Sequence, residues 1–150
     1  MSATLETLAE RCAALFPPPA AVETLDYAKR GFHLDLRVEP GQVVEAACLM
    51  DELGFAIDTL TGVDWIAEER FEVVYDYYHP LHAWRVAVRT RIARDNPEIP
   101  TISAVFPGAN WHEREAHDFF GIRFAGHPHM EPLLLPEDAD YHPLKKDFVA

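Results

Sequence analysis

The stretch NWHEREAHDFFGIRF, Asn110 to Phe124, gathers two histidines, three carboxylates and two arginines among large apolar side chains. Three chemistries suit such a set: zinc ligation, acid–base catalysis, or the capping and bracing of a helix. A zinc-protease helix carries H-E-x-x-H, because positions i and i+4 share one face. Here His112 and His117 are five residues apart, which at ~3.6 residues per turn swings the second imidazole ~140° from the first. Glu113 and His117 do stand at i and i+4, yet one carboxylate and one imidazole under-ligate a metal. A His/carboxylate metal site, and with it a metalloenzyme, requires His127, His129 or His142 to fold back onto this segment.

Helix geometry accounts for more of the cluster. Asn110 is a good N-cap residue and Glu113 follows three positions later, the capping-box spacing. Glu113 and Glu115 fall near the first turn, where the helix dipole favours negative charge. Arg114 and Asp118 are spaced i, i+4 for an ion pair. Trp111, Phe119, Phe120 and Ile122 supply apolar anchorage. None of this explains an arginine set between two glutamates. Other chemistries lack their residues: there is no Gly-rich phosphate loop and no G-x-S-x-G elbow. Cys12 and Cys48 stand alone with no CxxC, so thiolate-held clusters or structural zinc cannot be built from this chain. Nothing selects a carboxylate pair for hydrolysis.

The elements that must position the cluster are legible as periodicities. Residues 3–16 predict an amphipathic helix stopped by Pro17 to Pro19. FHLDLRV alternates strictly, with Phe32, Leu34, Leu36 and Val38 on one face of a strand. A second helix follows, with Val43, Ala47, Met50 and Leu53 in one stripe and Gly54 as its stop. FAIDTLTGVDW predicts a strand with Phe55, Ile57, Val63 and Trp65 on one parity. RFEVVYDYY and WRVAVRTRI predict two more, joined closely enough for an antiparallel hairpin. Their outward faces are complementary, Glu72 and Asp76 against Arg85, Arg89 and Arg91, which helps to set the register. RDNPEIPT is a loop, TISAVF a helical turn, and Asn110 opens a helix to about Phe120 with Gly121 as stop. Beyond Phe124, four prolines and three histidines follow without a sustained period. Such a segment lies extended over a surface, its own or a partner's.

The expectation is an α+β domain over residues 1–124, with a mixed four-stranded sheet, helices on one face, and an extended tail over 125–150. The strand–helix–strand start permits a parallel crossover, and the remaining strands suggest a meander. One core suits 150 residues. A formal net charge of -12 argues against nucleic-acid backbones as partners. No apolar run reaches the ~18–20 residues of a membrane-spanning helix. The N-terminus lacks the basic start and apolar core of a signal peptide. These features predict a soluble, cytoplasmic chain without direct membrane insertion.

The run Glu113-Arg114-Glu115, then Asp118-Phe119-Phe120-Gly121-Ile122, then Gly126-His127-Pro128, closely resembles the signature of one family. That family is the C-type, or thirty-kilodalton, subunit of proton-translocating NADH:quinone oxidoreductase (NADH dehydrogenase, respiratory complex I). LLLPED and HPLKKDF resemble its closing motifs, and TGVDW extends the resemblance more loosely upstream. The resemblance implies a non-catalytic peripheral-arm subunit that supports electron transfer to quinone coupled to proton translocation. It implies no cofactor in this chain, with flavin (FMN), iron–sulfur clusters and quinone held by partner subunits. The chain would dock on the quinone-site, D-type (forty-nine-kilodalton) subunit, beside subunits of the B and I type, at the cytoplasmic face of the cell membrane. On that resemblance His127-Pro128, Leu134, Pro136, His142-Pro143 and Lys145-Lys146-Asp147 form a docking strip braced by Glu113, Arg114, Glu115 and Asp118. The lysine–aspartate end would pair with charges across the interface. His129-Met130-Glu131 and Lys145-Lys146 depart from the family pattern. The equivalent small subunits of energy-converting hydrogenases and reduced-F420 dehydrogenases are therefore the alternative.

Overall fold

A computed structural model describes residues 4–150. Helix α1, Leu5–Leu15, starts on a Thr4 cap whose hydroxyl accepts the Thr7 N–H, and it buries Leu8 and Cys12. Of the helix expected over 3–16, position 3 lies outside the described residues. Strand β1, Ala21–Thr24, leads through a one-turn helix α2, Tyr27–Arg30, to strand β2, Leu34–Arg37. A 3-10 turn at Pro40–Gln42 feeds helix α3, Val43–Glu52. Strands β3 (Ala56–Trp65), β4 (Arg70–Tyr78) and β5 (Arg85–Ala93) follow as the expected meander. The short strand β6, Glu98–Pro100, precedes helix α4, Ala109–Phe120, and strand β7, Arg123–Ala125.

The main sheet has five strands in the order β1-β2-β5-β4-β3, one more than the alternation shows. The extra strand, AVET, has mostly exposed side chains, so it carries no apolar rhythm and is held by pairing with β2 and by Val22 against the core. The crossover also differs from the expected neighbouring pair. β2 and β3 run in the same direction and are joined through α3, but β5 and β4 lie between them, and β2 pairs in parallel with β5. The predicted loop RDNPEIPT contains β6, which pairs in parallel with β7 and so ties the start of the tail to the end of β5's connection.

Helices α1, α3 and α4 share one apolar cluster with the inner face of the sheet, through Leu8, Met50 and Phe120 against Leu36, Val88, Phe71 and Val73. The outer face is charged. Arg85 bonds Asp76 and Asp58, Arg89 bonds Asp35 and approaches Glu72, and Arg91 meets Glu72 and Glu68. The complementarity expected between β4 and β5 is present, with Asp35, Asp58 and Glu68 extending it. One strand departs from its predicted phase. A bulge between Ile57 and Thr59 reverses the parity of β3, so Leu60, Gly62 and Asp64 turn toward the helices, while Val63 and Trp65 turn outward.

Candidate functional site

Helix α4 starts on Gly108, which offers no side-chain cap. Glu113 is therefore free of the capping-box role that its spacing predicts, and it points into the core instead. One of its carboxylate oxygens accepts the Ile102 N–H at 2.8 Å and the other the Thr101 hydroxyl at 2.5 Å. It thereby replaces the backbone partner that Ile102 loses where β6 ends. His127 lies against it, with Nε2 at 3.7 Å and both side chains fully covered.

Arg114 and Asp118 do not form the i, i+4 pair that their spacing predicts. Each holds the main chain of the tail. Arg114 donates from Nε to Glu131 O and from Nη2 to Pro132 O, both at 2.9 Å. Asp118 Oδ2 accepts the consecutive N–H groups of Leu133, Leu134 and Leu135 at 3.0, 2.7 and 3.2 Å. One carboxylate thus caps a turn of chain the way an anion caps a helix start. This explains the arginine beside glutamate that helix geometry left open. Glu113 serves the core, Arg114 the tail carbonyls, and Glu115 is exposed beside His112 along the α4–β3 groove.

The tail then crosses α4 a second time. His142 Nδ1 donates to Asp118 O at 2.9 Å, and Leu144 N donates to Phe119 O at 3.0 Å. His142 fits because Gly121, at φ +76, has no Cβ; one built there would sit 2.9 Å from the imidazole. The chain ends on β3 and β5. Asp64 accepts the Lys146 N–H at 2.7 Å and binds Arg94 through two hydrogen bonds, and Arg94 reaches Asp147 at 2.6 Å. Asp147 is thus paired with Arg94 within its own chain. Burial would raise the Asp64 carboxyl, but the bonds from Arg94 and Lys146 outweigh it and hold the group below its usual range.

His117 turns its Nδ1 to Ile122 O at 2.8 Å, and its ring stands 6.3 Å from that of His142. Two tail histidines do fold back. Even so, no group of three His, Cys, Asp or Glu side chains is placed to share a metal ion among the described residues. The polar groups that converge here end on backbone atoms or on one another. They can hold a polypeptide in a fixed extended shape. Pro128, Pro136 and Lys145 make no side-chain bond in this network, and Pro143 is half-buried. Thr101, Asp64 and Arg94 belong to the network without a local sequence signal. Only the parity break at Gly62 hints that Asp64 faces inward.

Along its outer side the tail presents Leu134, Tyr141, Leu144 and Phe148 to solvent, and α4 presents Trp111, 60% exposed. The family model described as respiratory-chain NADH dehydrogenase, 30 Kd subunit, matches residues 36–150, a span that contains the whole network. The chain belongs to that family. The NADH-quinone oxidoreductase C subunit of Roseiflexus sp. (strain RS-1) is 41% identical over 119 residues, covering 76% of this chain and 68% of that protein. Its counterpart in Xanthobacter autotrophicus (strain ATCC BAA-1158 / Py2) is 42% identical over 77% of this chain and 57% of its own length. In Rhodopseudomonas palustris (strain TIE-1) the match is 37% over 96% of this chain and 71% of that protein. The chain therefore spans between 57 and 71% of these three relatives.

Two solved structures share the fold of this family member. One is a chain of the membrane-bound sulfane sulfur reductase, an archaeal respiratory membrane complex, with TM-score 0.81 and 29% identity over 96% of this chain and 85% of that one. The other is a trypsin-resistant fragment of Nqo5, with TM-score 0.70 and 27% identity over 83% of this chain and 98% of the fragment. No helix among the described residues is long and apolar enough to cross a membrane.

Proposed function

We propose that this chain is a non-catalytic assembly subunit in the peripheral arm of a complex-I-type NADH:quinone oxidoreductase. It docks on the quinone-site, D-type subunit and supports electron transfer to quinone, with the flavin, clusters and quinone held by neighbouring subunits at the cytoplasmic face of the membrane. Subunits of the B and I type are its further neighbours. One observation carries the reading. Arg114 and Asp118 of the family's charged motif are consumed in fixing the tail's backbone, leaving apolar side chains aimed outward. A tail already bonded to α4 loses little conformational freedom on docking, which raises affinity without new contacts. Exposed Leu, Tyr, Phe and Trp side chains match the apolar centre of a stable interface.

The second reading keeps the same docking role within another respiratory membrane complex, such as an energy-converting hydrogenase. It is favoured by the fold similarity to a chain of the archaeal sulfane sulfur reductase. Co-expression with a D-type, quinone-site subunit tests both. Leu134→Asp with Leu144→Asp is expected to leave a folded chain that no longer co-purifies with that subunit. Retention of the doubly substituted chain would refute the docking surface. Co-purification with a hydrogenase-type large subunit in place of the quinone-site subunit would select the second reading.

A further inference from the structure

The outer face of the sheet, opposite the helices, holds a cleft of about 770 Å³. Its walls include five arginines, Arg30, Arg37, Arg70, Arg89 and Arg91, against three acids, Asp35, Glu39 and Glu72. In a chain of formal net charge -12, a cleft with surplus positive charge stands apart from the rest of the surface.

Two of these arginines are already satisfied. Arg89 is bonded to Asp35 and approaches Glu72, and Arg91 meets Glu72 and Glu68 and stacks over Trp65 at 4.9 Å. The other three are not. Among the described residues, no carboxylate lies within ion-pair distance of Arg30, Arg37 or Arg70. Arg37 is also in register with Arg89 on the neighbouring strand. Like charges placed side by side on a sheet destabilise it, so a counter-charge from outside the chain would stabilise this one.

The shape of the cleft decides between a small anion and a polypeptide. Arg37 lies on β2, Arg89 and Arg91 on β5, Arg70 on β4 and Trp65 on β3, across three inter-strand gaps. At about 4.8 Å per gap the arginines cover about 10 Å across the strands, and the row out to Trp65 about 14 Å. A single phosphate bridges one or two guanidiniums of such a row, whereas four or five extended residues, at ~3.3 Å each, span all of it. Guanidinium forks pair with carboxylates through two hydrogen bonds, and the half-exposed Trp65 offers an apolar contact.

We propose that this cleft is a second docking site, taking an extended segment of a partner polypeptide rich in Asp and Glu with an apolar residue against Trp65. The site is on the face of the sheet opposite α4 and the tail, so this subunit would bridge two neighbours. The inference rests on the assembly reading above, but its test separates the two. A photoreactive benzophenone side chain is placed at Glu39 in the cleft or, separately, at Leu134 on the tail, in the full chain within its native complex. The Glu39 probe is expected to label an acidic segment of a neighbouring polypeptide. Arg37→Gln with Arg70→Gln should cut that yield at least tenfold, leaving labelling from Leu134 unchanged and the melting temperature no lower. Among the described residues, those two arginines have no ion-pair partner to lose.

Labelling from Leu134 with none from Glu39 overturns the cleft and leaves the assembly reading standing. Labelling of lipid from Glu39, or polypeptide labelling that survives the double substitution, also overturns the cleft. Saturable binding of inorganic pyrophosphate by the isolated chain, abolished by the double substitution, would replace the acidic segment with a small anion. Silence from both probes removes both proposals.

Discussion

Glu113 Oε2 lies 3.7 Å from Nε2 of His127, and solvent reaches neither side chain. His127 Nδ1 accepts the His129 N–H at 3.0 Å. Its ring proton is therefore on Nε2, facing Asn110 O at 3.3 Å and the Glu113 carboxyl. Burial pushes Glu113 up from 4.5 to about 7, against the smaller downward pull of the Thr101 and Ile102 bonds. Burial pushes His127 below 6.5. Both groups are thus held toward their neutral forms.

The two shifts have opposite consequences for stability. A carboxyl raised on folding contributes stability that is complete below its unfolded value of 4.5 and lost as pH climbs through about 7. The lowered imidazole contributes above 6.5 and loses that contribution as pH falls. Glu113→Gln keeps an acceptor for Ile102 N and removes the carboxyl's titration, while its amide N–H donates to the Thr101 hydroxyl oxygen that donated to the carboxylate. Its stability relative to the parent should improve from about pH 5 to pH 8, by up to about 3 kcal/mol, since each tenfold change in proton affinity is worth ~1.4 kcal/mol. Denaturant melts across that range check it, and a difference that does not change with pH would refute the assignment.

Asp118→Asn should loosen the tail without unfolding the domain. The amide oxygen can still accept, but the charge that strengthens three N–H bonds is gone, a loss of about 1.5–3 kcal/mol. Hydrogen exchange at Leu133, Leu134 and Leu135 should accelerate at least tenfold, while amides of β4 and β5 keep their protection. Arg114→Lys should act in the same direction, since a lysine cannot present two fixed donors to neighbouring carbonyls.

Gly62→Ala tests the contact between β3 and α4. A Cβ there would stand 2.7 Å from two ring carbons of Phe120, itself packed at 5.8 Å against Phe71. Overpacking of this kind costs about 1–3 kcal/mol. Adding Phe120→Leu should return part of that loss, visible as a non-additive double-mutant cycle in thermal melts. Strict additivity would show that the two residues do not touch.

Arg94→Gln should free the end of the chain. Asp64 would then keep its Lys146 N–H partner but lose both guanidinium bonds. Since Asp64 titrates below 3.8 in the fold, its contribution is present above that value and is lost as pH falls further. Protease cleavage after Lys145 or Lys146 should be slow in the parent near neutral pH. It should be fast in the Arg94→Gln chain at every pH and faster in the parent only under strong acid.

Much of the frame is legible in local patterns alone. The alternations of β4 and β5 predict both strands, their hairpin and the acid–base complementarity of their outer faces. Helix α4 ends at the predicted Phe120, since Gly121 adopts the left-handed conformation that stops it. The motif set from Glu113 to Asp147 carries the family correctly. In each case the signal lies within a few residues along the chain, where side-chain spacing and backbone preference act directly.

What only the tertiary structure decided concerns partners far apart in sequence. Glu113, Arg114 and Asp118 each satisfy a local helix rule on paper, yet each is bonded to backbone outside α4. A buried or half-buried charge binds whichever unpaired amide or carbonyl the fold brings to it, and that outweighs an exposed i, i+4 pair worth a few tenths of a kcal/mol. β1 exists because β2 has an open edge, and the bulge in β3 reverses a parity that alternation predicts. The amino-acid sequence by itself determined the strongly periodic elements, the family and the charges. The fold determined which main-chain groups those charges hold, because that choice depends on contacts no local spacing encodes.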